Sequence, residues 1–366
     1  MLKIIPIRFL VKLSVMFAFS CVFAVSCFGN PAVQTNEPAQ VVETGPTFTP
    51  SQKAASLCER PYYDSSIWNV PIDWSMAEIH PQSELMMSAF FEDNDWIGSD
   101  TTAFAQNIYY VTSATPLVLV QLRENSYRDA INDIDIIYGE PGGTVWVPLP
   151  VDARPAPGTD AQLVVVNLES GEEWGMIYGA IDSLGNWSAG AVYRYHIRNS
   201  GIPPAGFAQR GAAIGQLAGV IRPCEVDRGL INHAVTLAYD YPCSPHVCAG
   251  NGWPASIPPF TTTDGEGTSQ FDIPEGARIV IRPEISEEAI SLACQNIRGC
   301  IVWALAMQKY GGFIVDMGGH PKTYAEGDAT AHWDPEVWSS EMLSNIPKEW
   351  YAVLDWNTPF AIVLPK

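Results

Sequence analysis

Gln162-Leu163-Val164-Val165-Val166-Asn167-Leu168, followed by Glu169-Ser170-Gly171-Glu172 and then Trp174-Gly175-Met176-Ile177-Tyr178, is the stretch that decides the fold class. Two short apolar runs, rich in β-branched and aromatic residues, flank a polar link containing glycine. That is the composition of a β-hairpin. Similar runs lie on both sides of it: Asn107–Val111, Leu117–Leu122, Val145–Val147, Gly190–His196, His233–Tyr239, Ala277–Arg282 and Gly312–Met317. Most are bounded by Gly, Pro, Asn or Asp, and Asp182-Ser183-Leu184-Gly185-Asn186 reads as a second hairpin loop. Many short strands with frequent turn signals predict a β-rich chain, all-β to α+β, folded as an antiparallel β-sandwich or jelly roll.

Two helical regions interrupt this pattern. Pro81 suits a first helical turn ahead of Ser83–Phe91, where Leu85, Met86, Ala89 and Phe90 recur on one face. The second region is Ser286–Tyr310. Ser286 is a good N-cap, Glu287 and Glu288 suit the first turn, and Gly311-Gly312 stops the helix. Gly299 is expected to divide it in two.

At the amino end, Lys3, Arg8 and Lys12 precede an uncharged apolar run from Leu13 to Val25. That run is short for a membrane span and ends in small residues, which predicts a signal peptide over residues 1–26. Ala24-Val25-Ser26-Cys27 resembles a bacterial lipoprotein box, which would make Cys27 the lipid-bearing residue. Ala24 stands where that family usually has Leu, so free secretion is the alternative, with an uncleaved amino-terminal anchor as a third reading. Residues 27–57 are rich in Pro, Thr, Gln and Glu, a composition that cannot bury enough surface to offset chain entropy, and read as a disordered tether. Residues 58–366 read as one β-rich globular domain. The expected address is therefore outside the cytoplasm, with membrane contact limited to the lipid anchor.

The chain carries a formal charge of −20, with 20 Lys and Arg against 40 Asp and Glu. This argues against nucleic acid as a partner, because counterion release requires clustered cations, and it weighs against a uronic-acid polymer. Beyond the leader and Cys27, six cysteines remain: Cys58, Cys224, Cys243, Cys248, Cys294 and Cys300. In an exported protein they predict disulfides. The short separations pair Cys243 with Cys248 and Cys294 with Cys300, which leaves Cys58 for Cys224. Neither short pair has the two-residue spacing of a zinc knuckle.

The candidate chemistry centres on Gly219–Val235. Glu225 and His233 flank the turn-prone Asp227-Arg228-Gly229 and can approach each other across it. His233 also shares a strand face with Val235, Leu237 and Tyr239, where a histidine serves either as a hydrogen-bonded core residue or as a proton carrier. Asp316 ends the run Phe313-Ile314-Val315 and precedes Gly318-Gly319-His320, so it is a carboxylate at a strand end beside a glycine-rich loop. Arg282 could receive a substrate hydroxyl or carboxylate. Asp93, Asp95, Asp129, Asp133 and Asp135 offer hard oxygen ligands for Ca²⁺ but fit no calcium-loop spacing, and His246, His320 and His332 are too scattered for zinc, so no cofactor is expected. Trp96, Trp187, Trp253, Trp333 and Trp338 lie in turn-rich contexts that suit stacking on sugar rings.

The segment Gly219-Val220-Ile221-Arg222-Pro223-Cys224-Glu225-Val226, with Ile231-Asn232-His233-Ala234-Val235 after it, resembles a group of uncharacterised secreted bacterial proteins. Trp68-Asn69, Trp253-Pro254-Ala255, Ala304–Asp316 and Trp333-Asp334 extend the resemblance through most of residues 61–356. It implies a shared β-rich fold and brings no established activity. The chain departs from the group at Asp160-Ala161-Gln162, where a His is usual, and at Met176, where a Glu is usual.

These observations support an extracellular protein acting on a polysaccharide or oligosaccharide. In the first reading it is a glycoside hydrolase with Glu225 and Asp316 as paired carboxylates, assisted by His233, Asp160 or Tyr178, with Arg282, Trp253 and Trp333 binding substrate. A polysaccharide lyase using His233 or a Tyr as base is a variant of it. The competing reading is a non-catalytic glycan-binding or envelope structural protein. Oligomeric state is not encoded in any motif found.

Overall fold

The computed structural model describes residues 58–123, 142–204 and 209–358. The leader with Cys27, the tether, and Asp129, Asp133 and Asp135 lie outside these residues. In chain order the strands are β1 (Gly98–Asp100), β2 (Ile108–Val111), β3 (Leu117–Leu122), β4 (Thr144–Pro148), β5 (Leu163–Asn167), β6 (Glu172–Ile177) and β7 (Ala180–Ile181). They continue with β8 (Trp187–Ala189), β9 (Ala191–His196), β10 (Val235–Tyr239), β11 (Arg278–Ile281), β12 (Gly312–Met317), β13 (Lys322–Tyr324) and β14 (Tyr351–Val353). The helices are α1 (Ser83–Phe90), α2 (Pro223–Arg228), α3 (Pro245–Gly250), α4 (Glu287–Ala293), α5 (Arg298–Lys309) and α6 (Asp328–Ala331).

Strands dominate, in three sheets. One is six-stranded, in the order β1-β13-β10-β12-β11-β14; the others are four-stranded, β2-β5-β6-β9 and β4-β3-β8-β7. The expectation of an antiparallel arrangement is corrected here. Each sheet is mixed, because β1 runs parallel to β13, β10 to β12, β2 to β5 and β3 to β8. The physical reason is the connections. Between β10 and β12 the chain passes through α3, β11, α4 and α5, a crossover long enough to return in the same direction.

The decisive stretch forms the hairpin β5–β6, antiparallel as its composition implies. Every residue of β5 is buried. Leu163 and Val165 join Val120, Val147, Trp174 and Trp187 in an apolar cluster shared by the two four-stranded sheets. Val164 and Val166, on the opposite face, pack with Leu217, Ala238 and Tyr324 toward the six-stranded sheet. A strand buried on both sides explains the unbroken β-branched run. On the far face of the large sheet, Leu237, Ile279, Ile281 and Ile314 pack against Trp303 and Met307 of α5.

α4 is capped by Ser286, whose hydroxyl accepts the Ala289 N–H. The break before α5 falls at Gln295 and Asn296, both in the left-handed backbone region at φ 52° and 60°. Gly299 is not the breaker. It lies inside α5, where a Cβ would come within 2.2 Å of the Val337 carbonyl oxygen, so its role is close packing. Disulfides join Cys58 to Cys224, Cys243 to Cys248 and Cys294 to Cys300. No helix among the described residues is long and apolar enough to cross a membrane.

Candidate functional site

β10 and β12 run parallel and end side by side at Tyr239 and Met317. Beyond the carboxyl ends of parallel strands is where sheets with helices on their faces commonly place ligands. A cleft of about 860 Å³ opens there. Asp316, near the end of β12, forms part of its wall together with Asp264 and Arg210. Asp160 and Tyr178, brought in on either side of the β5–β6 hairpin, also line it. The Tyr178 N–H donates to the Asp160 carbonyl oxygen, which ties the two together.

Gly211 organises the acidic wall. Its N–H donates to Asp316 Oδ1 at 3.2 Å. A Cβ on it would lie 2.2 Å from Asp264 Oδ1 and 2.5 Å from Glu275 Oε1, so those two oxygens are less than about 5 Å apart. A residue without a side chain therefore lets three carboxyl groups gather. The Asp264 N–H donates to Glu275 Oε2 at 3.3 Å, and the Met317 N–H donates to Asp264 Oδ1 at 3.2 Å. On the other flank, the Tyr324 hydroxyl donates to Asp316 Oδ2 at 3.0 Å, and Arg210 Nη1 lies 3.9 Å from the same oxygen. The Arg210 guanidinium stacks over the Tyr324 ring, 4.0 Å from its centroid.

The electrostatics follow from this crowding. Burial, and then the charge of Asp316, push the Asp264 carboxyl up to about 7. Glu275, fully buried, is held well above the usual carboxylate range by burial and by the charges of Asp264 and Asp316. Burial also raises Asp316, against the opposing pull of Arg210, the Gly211 N–H and the Tyr324 hydroxyl. Like charges this close cannot all ionise, so the cluster retains protons at neutral pH. Tyr178 is raised by burial and then by Asp160 and Asp316, which keeps it a hydrogen-bond donor rather than a base.

Glu225 and His233 lie elsewhere. α2 begins with Arg222 as its N-cap and places Glu225 one turn in, where its Oε2 accepts the Arg222 N–H at 3.0 Å. Its Oε1 accepts from Arg222 Nη2 at 2.7 Å and lies 2.9 Å from His233 Nε2. The His233 Nδ1 is 2.8 Å from the Ala234 carbonyl oxygen. Burial alone would raise Glu225, but the charges of Arg222 and His233 outweigh it and hold the carboxyl well below its ordinary range. The two residues thus meet across the short segment as their spacing suggested, but in a sealed cluster. Each is 3% exposed and neither lines the cleft. Pairing Glu225 with Asp316 as cleft carboxylates is corrected by this placement.

Three further candidates also stand apart from the cleft. Arg282 lies on a second groove, of about 770 Å³, with Glu84, Glu92, Lys348 and Tyr351. Trp253 packs edge-on against His80 and Trp356. Trp333 stacks on Trp338 and donates its indole N–H to the Glu326 carbonyl oxygen at 2.7 Å. Asp95 is paired with Lys348. Among the described residues no group of three or more His, Cys, Asp or Glu is arranged to hold a metal ion.

The sequence reading missed Arg210, Gly211, Asp264 and Glu275. The available signal was faint: Asp264-Gly265-Glu266-Gly267 and Glu275-Gly276 set carboxylates among glycines, which also describes an ordinary turn. It missed Glu173 as well, fully buried, where it accepts from the Tyr193 hydroxyl and, at 3.2 Å, from the Leu217 N–H. A Cβ at Gly175 would collide with the Tyr193 ring at 1.9 Å, so glycine there is what lets the ring lie across β6. No family model, curated protein or solved structure matches the chain.

Proposed function

We propose that this protein is an extracytoplasmic hydrolase acting on a glycan, with the cleft beyond β10 and β12 as its active site. The observation that carries this reading is the proton-holding carboxyl group of Asp264, packed against Asp316, in a cleft that Asp160 also lines. Hydrolysis of a glycosidic bond needs a protonated carboxyl to release the leaving group and an ionised one to attack or to activate water. Asp264 supplies the first, with burial and then the charge of Asp316 holding its pKa near neutrality. Asp160, which lines the same cleft, is placed to attack or to activate water, and Tyr178 donates to substrate oxygen. Three disulfides support an address outside the cytoplasm.

Hydrolysis is favoured over a lyase reaction. His233, the imidazole proposed as lyase base, is buried on Glu225, and Tyr178 is raised rather than activated.

The test is a panel of neutral, amino and uronic polysaccharides, assayed for new reducing ends and for unsaturated uronates. Cleavage that produces reducing ends and disappears in Asp264→Asn and Asp160→Asn supports the proposal. Binding without cleavage by the wild type would instead make the protein a non-catalytic glycan-binding module. Unsaturated products would make it a lyase.

A further inference from the structure

We propose that the cleft selects saccharides carrying free amino groups. The inference rests on the glycan reading above and adds the substrate class. It begins with the cations. Lys322 is 6% exposed, and its Nζ is 2.8 Å from Asp100 and faces the ring of Phe104. Arg210 is 4% exposed; its Nη2 donates to the Gln216 carbonyl oxygen at 3.1 Å and its Nη1 faces Asp316. Arg210 Nε and Nη1 make no hydrogen bond, yet the charge they share is matched by Asp316 within 4 Å. Both cations thus lie behind carboxylates rather than in front of them. His320, beside Gly98, is the remaining basic group of the lining.

The acids are the more open groups. Asp160 and Asp264 are partly exposed and Glu266 is exposed, and all three line the cleft with Asp316. An uronate or phosphate entering here would meet carboxylates first and find each strong cation already engaged.

A second, independent feature points the same way. Gln216 lines the cleft at 1% exposure, and its side-chain oxygen has no hydrogen-bond partner. A buried acceptor without a donor costs roughly 1–3 kcal/mol, a penalty that a ligand donor removes. A carboxylate cannot do so. A hydroxyl brings one donor, whereas an ammonium brings three donors and a positive charge, matching both the orphan acceptor and the acids around it.

The experiment uses the full chain and three hexasaccharides in calorimetric titrations: glucosamine, N-acetylglucosamine and galacturonate. The glucosamine hexamer is expected to bind roughly tenfold or more tightly than the N-acetylated one. That advantage should shrink at about 1 M salt, where charge interactions are screened. Asp160→Asn and Gln216→Met, each checked for wild-type folding by circular dichroism, should both lose the preference. Equal affinities, a preference for the acetylated or uronate chain, or a preference that survives both substitutions would overturn the proposal. Reducing-end assays on the same ligands separate the two readings. Amine preference without cleavage sinks only the hydrolase, and cleavage without amine preference sinks only this inference.

Discussion

Gly211 donates its backbone N–H to Asp316 and, lacking a Cβ, leaves the space in which Asp264 and Glu275 converge. One residue thereby serves three carboxyl groups, by donating to one and by vacating room for two. Gly211→Ala would place a methyl 2.2 Å from Asp264 Oδ1, closer than any relaxed contact. Overpacking of this kind costs about 1–3 kcal/mol. The expected result is a lowered denaturation midpoint together with loss of cleft ligand binding. Because the closest collision is with the Asp264 side chain, with Glu275 Oε1 next at 2.5 Å, Asp264→Ala in the same chain should restore part of the stability. A Gly211→Ala protein as stable as wild type, or a double variant with no recovery, would contradict the packing argument.

Asp264 makes stability depend on pH in an unusual direction. Its folded carboxyl titrates near 7 against an ordinary 3.8. The native state therefore keeps the proton after the unfolded chain has lost it, and stability falls as pH rises through that window. Asp264→Asn keeps the acceptor for the Met317 N–H but cannot ionise. Above pH 7 the variant should be more stable than wild type, by an amount on the order of 1–2 kcal/mol after allowance for the coupled neighbours. Glu173 and Glu326, also pushed up to about 7 by burial, contribute to the same wild-type slope and remain in the variant. Urea denaturation from pH 4 to 8 reads the difference, and identical slopes in the two proteins would refute it.

The Glu225 cluster should behave in the opposite sense. Arg222 and His233 hold its folded pKa below the ordinary 4.5. Its contribution is then fully present above that value and is lost as pH falls through the depressed folded pKa. Glu225→Gln removes the carboxylate that pairs with the buried Arg222 and His233, and breaking a buried pair in this way typically costs about 3–5 kcal/mol. The loss measured at pH 7 should narrow in strong acid. Fractions that remain folded should bind cleft ligands normally. A Glu225→Gln protein with wild-type stability and abolished cleft activity would show that the cluster acts in chemistry after all.

Sequence reading reached the parts of this molecule that local patterns encode. β-Branched runs such as Leu163–Asn167 announce strands because side-chain crowding favours extended backbone, and the Glu169–Glu172 link announces its hairpin. The approach of His233 to Glu225 was also legible, since only a short turn-prone segment separates them. What could not be read was whether that meeting place is open or sealed, because burial depends on segments such as Cys58–Glu59 that are remote in the sequence; Arg222 Nη1 donates to the Glu59 carbonyl oxygen at 3.0 Å. Parallel pairing was hidden for the same reason. β10 and β12 become neighbours only through a crossover of more than seventy residues, and no local signal reports where it returns. Asp264 and Glu275 escaped notice because Thr261–Glu275 has neither helical nor strand periodicity, so its carboxylates look like solvated loop residues.

The Cys58–Cys224 disulfide joins the start of the described chain to α2, across a separation of 166 residues. Constraining so long a loop removes much of the unfolded chain's freedom, and on the chain-entropy account the bond is worth about 5 kcal/mol. It has a local consequence too. Glu59, next to Cys58, accepts the Arg222 Nη1 bond, and Cys224 precedes Glu225, so the bond also clamps the sealed ion cluster. Replacing both cysteines by serine should lower stability by more than the loss of Cys243–Cys248, which closes a separation of five residues. Combining it with Glu225→Gln should give less than the sum of the two losses, because each change loosens the same α2 terminus. Denaturation of the two single variants and the combination forms the cycle. Strict additivity would mean that the disulfide acts through the unfolded chain alone and leaves the Arg222–Glu225–His233 geometry untouched.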